Sequence, residues 1–157
     1  MKKLKIYLET TIFNYYFDEN RDAHKSTIKL FEEIIEGKYE AYTSNYVIDE
    51  LLQADEPKKS KMLDLIEKYN IIVLKYNEES EALADKYIEM NIIPKNYKYD
   101  GIHIAIASIN KLDYIFSLNF KHINKLKTKL MTENINIQEG YKGIIICSPM
   151  EVVEDEE

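Results

Sequence analysis

Leu4, Ile6 and Leu8 alternate with Lys5 and Tyr7, and this period of two predicts a strand over residues 3–8. Brief apolar or β-branched runs at residues 40–43, 71–74, 114–117 and 144–147 predict four more. Between them the period lengthens to that of a helix. Ile28, Phe31, Ile34 and Ile35 fall at three- and four-residue steps in a segment opened by Asp22 or His24 and closed by Gly37. Ser44 can cap a helix carrying Val47, Ile48, Leu51 and Leu52. Pro57 suits the first turn of the next, which holds Met62, Leu65 and Ile66. Asn77 or Ser80 starts a helix through Met90, and Pro94 punctuates. Residues 99–110 form another helix, and a last one follows His122 and frays by Asn134. Strands alternating with helices predict an α/β fold, a three-layer α/β/α sandwich around a mostly parallel central sheet.

The length of 157 residues suits one domain with a real core, and no linker or internal repeat divides it. Residues 1–150 therefore read as a single domain and residues 151–157, EVVEDEE, as an acidic tail. No apolar run reaches membrane-spanning length and the opening MKKLKIYLETT lacks the apolar stretch of a signal peptide, so the expectation is a cytoplasmic protein. The lone Cys147 excludes an internal disulfide and a cysteine-based zinc cluster. A net charge of −7 argues at first against a nucleic-acid partner. The tail, however, holds five of the 28 acidic residues, leaving 23 against 21 basic ones in the body. A body so nearly neutral can bind RNA, above all if some of its acids hold cations.

In open parallel sheets, ligands bind beyond the carboxyl ends of the strands. Three acids fall at such positions: Glu9 after the first strand, Glu50 in the second turn of the helix after AYTS, and Asp100 at the start of DGIHIAIASIN. Each has a plain structural alternative. Glu9 can favour the N-terminus of a following short helix, Glu50 can be a solvated helix residue, and Asp100 can be an N-cap. Their joint placement points elsewhere, because three carboxylates gathered at one sheet end repel unless cations lie between them. The helix after Asp100 is apolar nearly all round and must be buried, which gives that carboxylate a rigid support. His103, one turn on, reads first as a core histidine bonded to a carbonyl. Asp113 belongs at the opposite end of the sheet with a structural role.

These residues resemble the PIN-domain family of metal-dependent ribonucleases, which includes the toxins of VapBC-type toxin–antitoxin pairs. The matching pieces are IYLETTIFNYYF, YTSNYVIDELLQA, YDGIHIAIASINKLDYIFSLNFKHI and the closing GYKGIIICSPMEV, together spanning residues 3–153. The resemblance implies that Glu9, Glu50 and Asp100 are catalytic residues that hold Mg²⁺ or Mn²⁺ directly or through water. It implies that Thr10 or Thr11 supports a ligand or contacts phosphate, and that Asn119 falls where many relatives carry a fourth polar or acidic group. It further implies hydrolysis of RNA to 5′-phosphate and 3′-hydroxyl ends, an antitoxin partner and a homodimer. Two departures stand out. Glu9 replaces the usual Asp, so its carboxylate sits one methylene farther out, and Asn119 brings a neutral group where a negative one is common.

The chemistry is coherent from the residues alone: hard carboxylate oxygens without thiolates favour Mg²⁺ or Mn²⁺. Lys121, His122 and Lys125, with Lys95 and Lys98, flank the expected mouth and can neutralise phosphates. Tyr15, Tyr16 and Tyr99 can stack on bases, although packing explains them as well. A phosphatase of the haloacid-dehalogenase type needs an Asp-x-Asp pair that LETT lacks, and IIVLKYN offers no acceptor Asp for a phospho-receiver. The remaining rival is a PIN-like module with weakened catalysis that binds protein or RNA.

Overall fold

The computed structural model describes residues 2–153, so residues 154–157 of the acidic tail lie outside the described residues. Five strands, β1 (Leu4–Leu8), β2 (Tyr39–Ser44), β3 (Ile72–Leu74), β4 (Tyr114–Phe116) and β5 (Ile145–Cys147), form one sheet in the order β3-β2-β1-β4-β5. Every neighbouring pair is parallel. In β1, at the centre, Ile6, Tyr7 and Leu8 are wholly buried. On the edges Ile72 of β3 and Ile145 of β5 are exposed. A continuous buried run in a central strand is what a parallel sheet covered on both faces requires.

The helices are α1 (Thr10–Tyr16), α2 (His24–Ile35), α3 (Asn45–Leu51), α4 (Lys58–Lys68), α5 (Glu78–Glu89), α6 (Lys98–Ile109), α7 (Leu126–Gln138) and α8 (Pro149–Val152). Strand order runs outward from β1 in one direction through β2 and β3, then returns past it to β4 and β5. Right-handed crossovers therefore place α1–α4 on one face and α5–α7 on the other, giving the three-layer α/β/α sandwich. Contacts agree: α1 meets α2, α3 and α4, whereas α5 meets α6 and α7.

Local chemistry explains the boundaries. Ser44 Oγ accepts the Val47 N–H and caps α3, and Asn77 with Ser80 closes a reciprocal capping box on α5. In α6 every residue from Asp100 to Ser108 is buried. Ile104 and Ile106 are inaccessible to solvent, each contributing roughly 1.5–3 kcal/mol, so the helix is clamped in the core. Gly101 permits its close approach to α5 and the segment after it, since a Cβ there would sit 3.5 Å from Tyr87 Cδ2 in α5 and 3.2 Å from Ile93 Cδ1 beyond its end.

Three boundaries differ from the sequence expectation. α6 begins at Lys98 with Tyr97 as N-cap, so Asp100 lies inside the first turn and is neither the first residue nor the cap. α7 continues past Asn134 to Gln138, because Asn136 is buried and bonded to the Tyr87 hydroxyl and, at 2.9 Å, to Ser108 Oγ. Glu151 belongs to α8, where its Oε2 accepts the backbone N–H of Ser148. Asp113 sits at the amino end of β4, as expected, taking the Lys5 N–H at 2.8 Å and the Lys142 ammonium at 2.7 Å.

Candidate functional site

The strand order reverses between β1 and β4, and such a switch point opens a crevice beyond the carboxyl ends of the two strands. Glu9 follows β1 there. It is the N-cap residue of α1, but its carboxylate does not cap the helix. Instead Oε1 accepts hydrogen bonds from Thr11 Oγ1 (2.6 Å) and from Ser117 Oγ (2.7 Å), just beyond β4. The Thr11 hydroxyl oxygen in turn accepts the Leu118 N–H at 2.8 Å. The two hydroxyls of LETT thus divide their work, because Thr10 Oγ1 donates to Glu50 Oε1 at 2.6 Å.

Glu50 is reached from the other side by His103. Its Nε2 lies 2.6 Å from Glu50 Oε1, and its Nδ1 lies 2.7 Å from the Tyr7 hydroxyl, which meets Ser44 Oγ at 2.8 Å. The expected carbonyl partner of His103 is not found; the imidazole spans a phenol and a carboxylate. Burial alone would raise the Glu50 pKa, but the His103 hydrogen bond and charge, with the Thr10 bond, hold it below the usual value. Burial would depress His103, yet the Glu50 bond and charge, helped by Glu9 and Asp100, bring it above the ordinary imidazole value. Tyr7 is pushed well upward, chiefly by burial, and so keeps its proton.

Asp100 completes the set from α6. Asn119 Nδ2 donates to its Oδ1 at 3.1 Å, while Oδ2 is buried without a hydrogen-bond partner among the described residues. Its pKa is pushed up to about 7 by burial, then by the charges of Glu9 and Glu50, with His103 and Asn119 opposing. The electrostatics therefore bring Glu9, Glu50, Asp100 and His103 into one neighbourhood.

Each carboxylate ties one oxygen to the protein, Glu9 and Glu50 through Oε1 and Asp100 through Oδ1. No hydrogen bond engages the second oxygen of any of them among the described residues. Among these residues no three His, Cys, Asp or Glu groups already stand together at metal-holding distance. The donor set nonetheless fits a hard divalent cation: untied carboxylate oxygens, one of them buried and unsatisfied, in groups that raise one another's energy. Holding a cation requires these side chains to draw in.

The residues expected to touch substrate divide. Asn119 is in the site, but its Oδ1 accepts the His122 N–H at 3.0 Å, so it offers Asp100 an N–H rather than an oxygen. The His122 ring stacks on Tyr97 with centroids 4.0 Å apart, and Lys121 Nζ lies 5.9 Å from the centroid of the Tyr97 ring. Lys98 is committed to Glu81 and, at 2.7 Å, to Asp85, so it is no free phosphate grip. Tyr16 packs among Phe17, Phe31 and Tyr69, and the Tyr15 carbonyl accepts from His24. Only Tyr99 of the three tyrosines is strongly exposed, at 41%. Sequence reasoning missed Tyr7 and Ser117, and read Ser44 rightly as a helix cap without its contact to Tyr7; the one signal for the missed pair was a polar tip on strands otherwise read as buried.

A carboxylate cluster at the switch point of a parallel α/β/α sandwich defines the class. The sequence matches the PIN domain family over residues 6–129, and the chain belongs to that family. No curated protein matches it significantly in sequence. Among solved structures it is similar to VapC20 of Mycobacterium tuberculosis, a sarcin–ricin loop cleaving toxin, at 10% identity and a TM-score of 0.53, covering 88% of this chain and 98% of that one. VapBC2 of Rickettsia felis, bound to a DNA fragment from its promoter, gives 13% identity and a TM-score of 0.56 over 91% and 97%. FitAB bound to an IR36 DNA fragment gives 13% and 0.53 over 97% and 98%. At these identities the likeness is one of fold. Among the described residues no helix is long and apolar enough to cross a membrane.

Proposed function

We propose that the protein is a divalent-cation-dependent endoribonuclease that hydrolyses RNA phosphodiester bonds and acts as the toxin of a toxin–antitoxin pair. The observation that carries this reading is the set of three carboxylates, each anchored by one oxygen and with no hydrogen bond to the other among the described residues, in a chain of the PIN family. Glu9, Glu50 and Asp100 would hold Mg²⁺ or Mn²⁺, the cations that oxygen-only donors favour. When bound, the cation supplies Lewis acidity that strengthens water as a nucleophile and offsets charge developing on the phosphoryl oxygens. Thr10, Thr11, Ser117 and His103 orient the carboxylates, and Asn119 fixes Asp100. Lys121 and Lys125, beside His122, neutralise phosphates on the approach. A protein partner covering the crevice and a homodimer belong to the same reading, supported by likeness in fold to VapBC2 and FitAB.

The test is cleavage of mixed RNA with Mg²⁺ or Mn²⁺, with and without chelator, by the wild type, Asp100→Asn and Glu50→Gln. The expected result is cleavage lost on chelation and in both variants. Cleavage indifferent to all three changes would sink the proposal. Cation binding without cleavage of any RNA would favour a binding module instead.

A further inference from the structure

Tyr46, Asp49, Glu50 and Gln53 stand at steps of three, four and seven along α3 and its C-terminal turn, so they share one helical face. Facing that stripe is Tyr99, next to Asp100 in the first turn of α6. Together these five residues line an open cavity of about 370 Å³. Its walls belong to the two helices that carry Glu50 and Asp100, and Glu50 is shared between the cavity and the carboxylate site. Tyr46 is braced from behind: its ring meets His103 edge-on at 5.5 Å and Tyr76 at 5.4 Å. Tyr99 is braced less, lying 5.9 Å from Tyr97.

The lining selects its occupant. Asp49, which is not among the residues that would hold the cation, repels phosphate, so the part of a nucleic acid that enters beside it must be neutral. Two tyrosines supply aromatic faces of the kind on which unpaired bases stack. Asp49 accepts hydrogen bonds only, whereas the Gln53 amide both donates and accepts, which suits the mixed edge of a base. A cationic protein side chain would use the acids and the rings but leave the Gln53 donor without a role. We infer that this cavity is the subsite for one unpaired nucleobase of the substrate strand and prefers a base with an exocyclic amine over uracil. The inference rests on the ribonuclease reading for its substrate class.

Binding is measured by fluorescence anisotropy of labelled short oligoribonucleotides of A, C and U, in an Asp100→Asn background that keeps the RNA intact. Cleavage of the same oligonucleotides by protein with Asp100 present gives KM and kcat separately. Tyr99 and Asp49 are exposed, so their substitution spares the core. Tyr99→Ala is expected to weaken binding and raise KM about tenfold with kcat little changed. Asp49→Asn is expected to erase the preference of A and C over U. Unchanged affinity and preference in both variants would overturn the subsite while leaving the nuclease reading intact. RNA bound with these dependences but never cut would uphold the subsite and remove the hydrolytic reading. Failure to bind any RNA, with an arginine peptide bound in a Tyr99-dependent manner, would overturn the subsite in favour of a protein contact.

Discussion

His103 Nε2 lies 2.6 Å from Glu50 Oε1, the imidazole fully buried and the carboxylate partly open to solvent. A neutral imidazole makes the network run in one direction. The Val47 N–H donates to Ser44 Oγ, the serine hydroxyl to Tyr7, the phenol to His103 Nδ1 and His103 Nε2–H to Glu50. Such aligned donors polarise one another and fix the Glu50 rotamer. A protonated imidazole keeps the Glu50 bond and turns the phenol toward Ser44.

His103→Leu is therefore expected to lower RNA cleavage by about 10–100-fold and stability by about 1–3 kcal/mol, since Tyr7 loses a buried partner. His103→Gln, which restores a donor near the Nε2 position, is expected to recover most of the cleavage. Turnover and urea denaturation of both variants check this; equal loss in the two would mean that the imidazole only fills space.

Glu9→Asp restores the residue type usual in the family, yet it is expected to impair this chain. Thr11 and Ser117 both bond Oε1 at the reach of the longer side chain, and a shortened carboxylate cannot keep both contacts. Mn²⁺ affinity, measured by titration calorimetry, should fall about tenfold, and Ser117→Ala should fall in the same direction. Affinity that rises in Glu9→Asp would contradict this account.

Without cations, Asp100 works against the fold near neutrality. Its folded pKa of about 7 exceeds the unfolded value, so the native state binds the extra proton between roughly pH 4 and 7. Stability with chelator present should accordingly decline as pH rises through that window and level off above it. Asp100→Asn should flatten the decline and leave the chelated protein more stable than wild type at pH 8, while abolishing cleavage. Thermal denaturation across pH reads this directly.

Asp113 gives the opposite slope. Burial raises its pKa, but the Lys142 and Lys5 contacts outweigh this and hold the folded value below 3.8. Its contribution is present above the unfolded pKa and lost as pH falls through the folded one. Asp113→Asn is expected to cost about 1–2 kcal/mol at pH 7 and progressively less as the pH falls below the unfolded pKa, with cleavage unaffected at neutral pH.

The fold was largely legible because its signals are local. β1 alternates, Ser44 and Asn77 cap, and α6 is apolar all round, so strand and helix types follow from neighbours in sequence. The placement of Glu9 after β1, and of Glu50 and Asp100 on helices, was legible too, because strand and helix order follow from local pattern. What the sequence concealed depends on partners far along the chain. Nothing near Asn134 shows that Asn136 will bond Tyr87 and carry α7 onward, and nothing near His103 shows Tyr7 and Glu50 on its two nitrogens. Lys98 looked free because Glu81 and Asp85 lie on another helix.

The pairing of Glu9 with Ser117 across the switch point has a consequence for the order in which the chain is made. Glu9 and Glu50 leave the ribosome early, but Asp100 follows only after α5, and the Ser117 hydroxyl just beyond β4 that steadies Glu9 comes later still. A chain that stops short of Ser117 lacks part of the constellation. On the ribonuclease reading, a nascent chain lacks the third carboxylate until Asp100 is joined and lacks the support of Glu9 until Ser117 follows, so activity waits on both halves of the sheet.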